Sequence, residues 1–147
     1  MAYKLTTRAC GHAAEHYVCF DLARRGLTAV GNPIEGAPYD VIADYNGHMI
    51  RVQVKGTIKP TNKVNTRKRI DKVYTWSKDY YSFHVKESQL AHVDLLALVA
   101  LDTQTIIYLK PSDVKKTAAY ISIPEMQSGS DDALLDVLSK LDNFRRL

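Results

Sequence analysis

Residues 38–57 read PYDVIADYNGHMIRVQVKGT, and three of them sit oddly in an apolar hairpin: the acid Asp40, the amide Gln53 and the cation Lys55. Asn46-Gly47 between two alternating runs signals a two-residue type I′ turn. That turn sets Tyr45 against His48 and Asp44 against Met49, and counting down the ladder brings Asp40 opposite Gln53. In an unbulged ladder such a pair is non-hydrogen-bonded, with Cα atoms ~4.5 Å apart. Lys55 lies two residues beyond Gln53 and shares its face. Val41, Ala43, Ile50, Val52 and Val54 form the opposite, apolar face.

A carboxylate, an amide oxygen and an ammonium at one spot suit hydrolysis of a phosphodiester. Mg²⁺ (or Mn²⁺) takes hard oxygen ligands and keeps several waters. Asp40 offers a charged oxygen, Gln53 a neutral one, and the main-chain carbonyl of Val54 another. Gly36-Ala37-Pro38 are small enough to let backbone approach the ion. Such an ion lowers the pKa of its water and polarises the phosphate. Lys55 would orient the attacking water or steady charge on the phosphorus.

The elements that must position these groups follow from periodicity. Residues 8–25 predict a helix, with Gly11, Ala14, Val18 and Leu22 on one face. Thr6 or Thr7 is its cap and Gly26 its stop. Glu15 falls toward the apolar face, where an acid needs a partner; if the helix packs on the hairpin, Glu15 joins the ligand set. The rest reads as a strand at 27–31, a loop at 32–38, strands at 39–45 and 48–56, and a polar loop or extended arm at 57–71. Further strands are expected at 73–76, 93–101, 105–109 and 120–123, a helical turn at 111–114, and a helix at 131–141. The aromatic stretch Tyr80, Tyr81, Phe83 is ambiguous; with Trp76 it suits core or a subunit interface. VDLLALVAL, 93–101, suits a central strand buried on both faces. A helix, strands and a final helix on a mixed sheet make a single α/β layer fold.

The chain has 147 residues, which favours one domain. No apolar run reaches the ~18–20 residues of a membrane span, and MAYKLTTRACGHAAEH lacks a secretory signal, so a cytoplasmic protein is expected. Cys10 and Cys19 fall on one helix about 13 Å apart, too far for a disulfide. The net charge is +4, a modest hint of a polyanionic partner. The cations concentrate beside the hairpin: Lys55, Lys59, Lys63, Arg67, Lys68, Arg69 and Lys72 are opposed only by Asp71. An arm over about 57–72 would contact double-stranded DNA, with Lys59, Lys63, Arg67, Lys68, Arg69 and Lys72 on phosphates and Asn65 among the side chains able to reach base edges.

P-Y-D, then Q-V-K, behind a helix carrying G-x-x-x-E, resembles the PD-(D/E)XK nuclease superfamily. The resemblance implies a restriction-endonuclease-like domain over 1–147, with a mixed central β-sheet flanked by helices. It makes Glu15 the helix acid, Asp40 the metal ligand and Lys55 the catalytic lysine. Gln53 stands where most members have Glu or Asp, which removes one negative charge from the site. A Q-x-K version in a chain of this length resembles intron-encoded homing endonucleases. That implies sequence-specific cleavage of duplex DNA, and a cut through both strands needs two sites, hence a homodimer or homotetramer. The stretches 74–83 or 93–109 are the candidate interface.

Rival readings start from the same residues. A Holliday junction resolvase would use the same ligands on a four-way junction. A non-catalytic DNA-binding module would account for Gln53. Glu15 could instead pair with Arg24, Arg25 or Arg51. His12-Ala13-Ala14-Glu15-His16 also spells H-x-x-E-H, a zinc pattern that needs a third ligand from downstream; otherwise His12 and His16 face solvent or DNA.

Overall fold

The computed structural model describes residues 5–115 and 117–145. Helix α1 (Thr7–Arg24) opens the fold, its first turn capped by Thr6, whose Oγ1 accepts from the Ala9 N–H at 3.1 Å. Strands β1 (Thr28–Gly31), β2 (Val41–Tyr45) and β3 (His48–Thr57) follow, then β4 (Thr61–Arg69) and β5 (Lys72–His84). A short helix α2 (Glu87–Leu90) precedes β6 (Leu95–Ala100) and β7 (Thr105–Leu109). A 3₁₀ turn (Pro111–Asp113), β8 (Ala118–Ser122), α3 (Ile123–Ser128) and α4 (Asp132–Arg145) complete the chain.

The strands make two sheets. The central five-stranded sheet has the order β1-β2-β3-β6-β7, and only β3 and β6 run parallel within it. β4, β5 and β8 form a second, antiparallel sheet. The expected arm over 57–71 is therefore largely a strand: nine residues of it pair with β5 along their whole length.

Strand β6 shows why the sheet is central. All six of its residues are buried, and they alternate between two cores. Leu95, Ala97 and Val99 meet Ala14, Val18 and Leu22 of α1 and Leu134 of α4. Leu96, Leu98 and Ala100 meet Tyr81 and Phe83 of β5 and Met126 of α3. The run 93–101 is thus consumed within one chain and does not offer a subunit interface. Tyr81 and Phe83 are core, as expected, whereas Trp76 is exposed.

A buried acid fixes the tilt of α1. Asp21 accepts from Tyr108 Oη at 2.7 Å, from Arg24 Nε at 2.7 Å and from Arg25 Nε at 3.2 Å. Arg25 continues to Asp131 at 3.0 Å, at the start of α4. Burial, and then Asp21, push the Tyr108 phenol well up, so it stays a neutral donor. Farther along α1 the helix lies directly on β3. A Cβ at Gly56 would stand 2.5 Å from Ala14 Cβ, so glycine is what permits the approach.

That contact yields a testable expectation, because Glu15 is next to Ala14. Gly56→Ala should cost about 1–3 kcal/mol by overpacking and shift α1, lowering both the thermal midpoint and any cleavage that depends on Glu15. An unchanged midpoint in a calorimetric scan would show that α1 yields freely.

Candidate active site

The hairpin places its polar groups by register. Asn46 and Gly47 both take positive φ, 54° and 89°, as a type I′ turn requires. Pairing then runs from Tyr45↔His48 to Val41↔Val52 as expected, with Val41, Ala43, Ile50, Val52 and Val54 all in the core. One step further the regular ladder stops. The Asp40 N–H donates to the Val52 carbonyl at 2.9 Å, one place off the regular pairing with Gln53. The Asp40 side chain replaces the missing backbone partner: its Oδ2 accepts the Val54 N–H at 2.9 Å.

β3 continues past β2, from Gln53 to Thr57, and that stretch of its edge is left without β2 as a partner. An extended residue turns N–H and C=O to the same side, so the Val54 carbonyl shares the edge that holds Asp40. Gln53 is only 3% exposed, and its Oε1 accepts no hydrogen bond from the described residues. An unpaired buried amide oxygen costs about 1–3 kcal/mol. Its chain neighbour Val54 holds the half-buried Asp40 carboxylate through its N–H; an amide oxygen, a carboxylate and a main-chain carbonyl are the donor types a hard divalent cation takes. Among the described residues no group of three or more His, Cys, Asp or Glu could hold a metal. A cation here relies on neutral oxygens as well as acid, and the residues fit that role. The same observation leaves the H-x-x-E-H zinc reading without its third ligand.

Glu15 reaches the site from α1. It faces an open cleft of about 460 Å³ lined by His12, His16, Asn32 and Asp40 among others. Asn32 shapes the loop there, donating to the Tyr39 carbonyl at 3.2 Å and accepting from the Ile34 N–H at 3.1 Å. Arg24 and Arg25, which might have claimed Glu15, belong to Asp21. Glu15 instead lies 3.8 Å from His12 Nδ1. Burial and the Asp40 charge raise its pKa, and His12 and His16 partly oppose this. Burial also raises Asp40, against the Val54 hydrogen bond and the Lys55 charge. Both carboxyls are thus held above their usual range chiefly by burial, despite the cations near them.

Lys55 is half-buried, and its Nζ donates to Gln89 Oε1 at 3.3 Å. Burial lowers its pKa, Asp40 pulls it back up, and Lys86 lowers it again. Gln89 and Lys86 lie at or beside α2 and escape sequence reasoning, since nothing in their spacing points at the hairpin. The basic residues expected on DNA lie elsewhere: Lys59 follows β3, and Asn65, Arg67, Lys68 and Arg69 lie along β4 with Lys72 opening β5. Lys63 pairs in backbone register with Lys78.

No helix among the described residues is long and apolar enough to cross a membrane. No curated protein matches the chain. Among solved structures, a bacterial homing endonuclease, I-Ssp6803I, superposes with a TM-score of 0.67 over 97% of this chain and 99% of that one. Identity is 11%, so this likeness speaks for the fold. The PD-(D/E)XK endonuclease family matches residues 5–134, which carry the whole hairpin, α1 and the central sheet, and the chain belongs to that family.

Proposed function

We propose that this protein is a Mg²⁺-dependent endonuclease that hydrolyses phosphodiester bonds in double-stranded DNA at a preferred sequence, as a two-fold homodimer or a tetramer. One observation carries the reading: where β3 outruns β2, Gln53 buries an unpaired amide oxygen and its chain neighbour Val54 holds the Asp40 carboxylate through its N–H. Asp40, Gln53, the Val54 carbonyl and, directly or through water, Glu15 would hold the ion. Bound there, it supplies a water of lowered pKa and a polarised phosphate. The chain does the rest. The Val54 N–H fixes the Asp40 carboxylate through Oδ2, which leaves Oδ1 to serve the ion. Gln89 holds the Lys55 ammonium, which would position the attacking water and meet charge on the phosphate.

The test is incubation with Mg²⁺ of linear duplex from a random-sequence library and, separately, of four-way junctions. Cleavage of duplex at a recurring sequence supports the proposal. Cutting only of junctions would make the protein a junction resolvase, and cutting of neither would leave a DNA-binding module.

The raised acids and lowered lysine predict a shape for the pH profile. Cleavage needs Asp40 and Glu15 ionised, and both are held above the ordinary carboxylate range, so the acid limb should lie above that range. A bound cation favours the ionised acids, so more Mg²⁺ should move this limb to lower pH. The alkaline limb should fall below the usual lysine value of 10.5, since burial depresses Lys55. Single-turnover rates across pH at two Mg²⁺ concentrations read both limbs.

A further inference from the structure

The β4–β5 pair is a ribbon with two unlike faces. β5 pairs with β8 only from Tyr80 onward, so residues 61–79 stand clear of the second sheet as a two-stranded ribbon. The turn at its tip forces Ile70 to a φ of 52°. Side chains alternate across a strand, and the register sorts them. One face carries the pairs Asn65↔Trp76, Arg67↔Tyr74 and Arg69↔Lys72, with Lys78 next along β5. Among the described side chains it has four cations and no acid. The other carries Asn62↔Asp79, Val64↔Ser77, Thr66↔Thr75 and Lys68↔Val73, a single cation balanced by Asp79.

The cationic face is built at a cost to the ribbon. Like charges directly opposite destabilise a pair of strands, yet Arg69 faces Lys72. Tyr74 and Trp76 remain 52% and 49% exposed, and among the described residues neither makes a ring or cation–π contact. An unneutralised cationic stripe with free aromatic rings is a surface waiting for a polyanion. The shape specifies which. The major groove of B-DNA, ~12 Å wide, admits a two-stranded ribbon. Nine residues at ~3.3 Å each span ~30 Å, close to the ~34 Å of one helical turn. Only Ile58, Lys59 and Pro60 separate β3, which bears Lys55, from β4.

We propose that the Asn65–Arg67–Trp76 face of the ribbon lies in the major groove within one turn of the scissile phosphate and reads sequence there, while the Val64–Lys68–Thr75 face stays in solvent. This rests on the endonuclease reading. Asn65 and Arg67 have the donors to address adenine and guanine edges, and Tyr74 and Trp76 offer apolar contact to thymine methyls. Arg69, Lys72 and Lys78 neutralise phosphates. The register thus removes Lys68 from the DNA-contacting set that charge alone suggests, and adds Lys78, Tyr74 and Trp76.

The proposal is tested by binding without Mg²⁺, so that cleavage plays no part. Full-length protein is titrated with random-sequence duplex across a range of KCl, and sequences are selected from the same library. Lys78→Ala and Arg69→Ala should each weaken binding and reduce the salt slope by about 1. Arg67→Ala and Trp76→Ala should flatten the sequence preference. Lys68→Ala should match wild type in both. Methylating guanine N7, in the major groove, should block binding. A Lys68→Ala loss equal to that of Lys78→Ala would overturn the assignment of faces, and interference only from adenine N3 methylation would overturn the groove. Charge variants that lose affinity for anionic phospholipid vesicles but not for duplex would overturn the partner. If duplex binds as described but Mg²⁺ elicits no cleavage, the ribbon proposal stands and the nuclease reading fails.

Discussion

Asp40→Asn lowers single-turnover cleavage by a factor on the order of 10³ or more and, with no metal present, makes the protein more stable at neutral pH. The two effects have one origin. Asn is nearly isosteric and can still accept the Val54 N–H, so the hairpin end is kept. What disappears is the charge that holds the cation. Burial already disfavours that charge, outweighing the Val54 bond and Lys55. The sign follows from linkage: in the unfolded chain the carboxyl ionises near 3.8, in the fold only at higher pH. Between those values the folded state binds more protons, so wild-type stability falls as pH rises and stays reduced above. The asparagine variant has no such loss, and the advantage should vanish below about pH 4. Lys55→Met keeps the aliphatic stem, removes the ammonium, and should lower cleavage to a similar degree. Both variants should bind duplex, since the ribbon is untouched. Cleavage at the wild-type rate by either would remove the mechanism, and a metal-free Asp40→Asn protein less stable than wild type would remove the electrostatic account of the site.

Much of the site is legible in the sequence because a two-residue turn leaves little freedom. Asn46-Gly47 sets the register from Tyr45↔His48 to Val41↔Val52, and the register sorts the faces of the hairpin; Asp40 lies just past this ladder, held on β3 by the Val54 N–H. The α/β order of elements follows from the apolar periods of α1, β6 and α4, and its restriction-endonuclease-like character from the motif resemblance. What escapes is tertiary. Nothing local names the partner of Asp21 on α1 until Tyr108, far away in sequence, is brought to it. Gln89 has no local reason to meet Lys55. Strand β4 is masked by its charges: TNKVNTRKR has too little apolar alternation to read as a strand, and its pairing with β5 supplies what the pattern lacks. Helix α3 carries a readable signal after all. Ser122-Ile123-Pro124-Glu125 joins an N-cap serine to a first-turn proline, and Ser122 Oγ accepts the Glu125 N–H at 3.4 Å. The break in the ladder at Asp40 is invisible to period-counting, yet it frees the Val54 N–H for the carboxylate.

Gln53 separates a metal site from a merely polar core more sharply than any other residue. If its oxygen is a ligand, Gln53→Leu leaves a fold that no longer buries an unpaired amide oxygen, worth about 1–3 kcal/mol. The metal-free variant should melt higher than wild type and cleave at least ~10²-fold more slowly. Wild-type protein should gain stability as Mg²⁺ is added, by mass action on the folded state; the leucine variant should gain much less. Gln53→Glu runs the other way. It adds a buried carboxyl to the proposed ligand set of Asp40 and Glu15, both already raised by burial, so the metal-free protein should lose stability at neutral pH. The same charge should draw the cation in, so half-maximal cleavage should need less Mg²⁺ than in wild type. Melting curves over a Mg²⁺ series, read beside cleavage rates for all three proteins, make the comparison. If leucine at 53 leaves both the Mg²⁺-induced shift and the rate intact, the amide oxygen binds no ion and the buried polar group needs another cause.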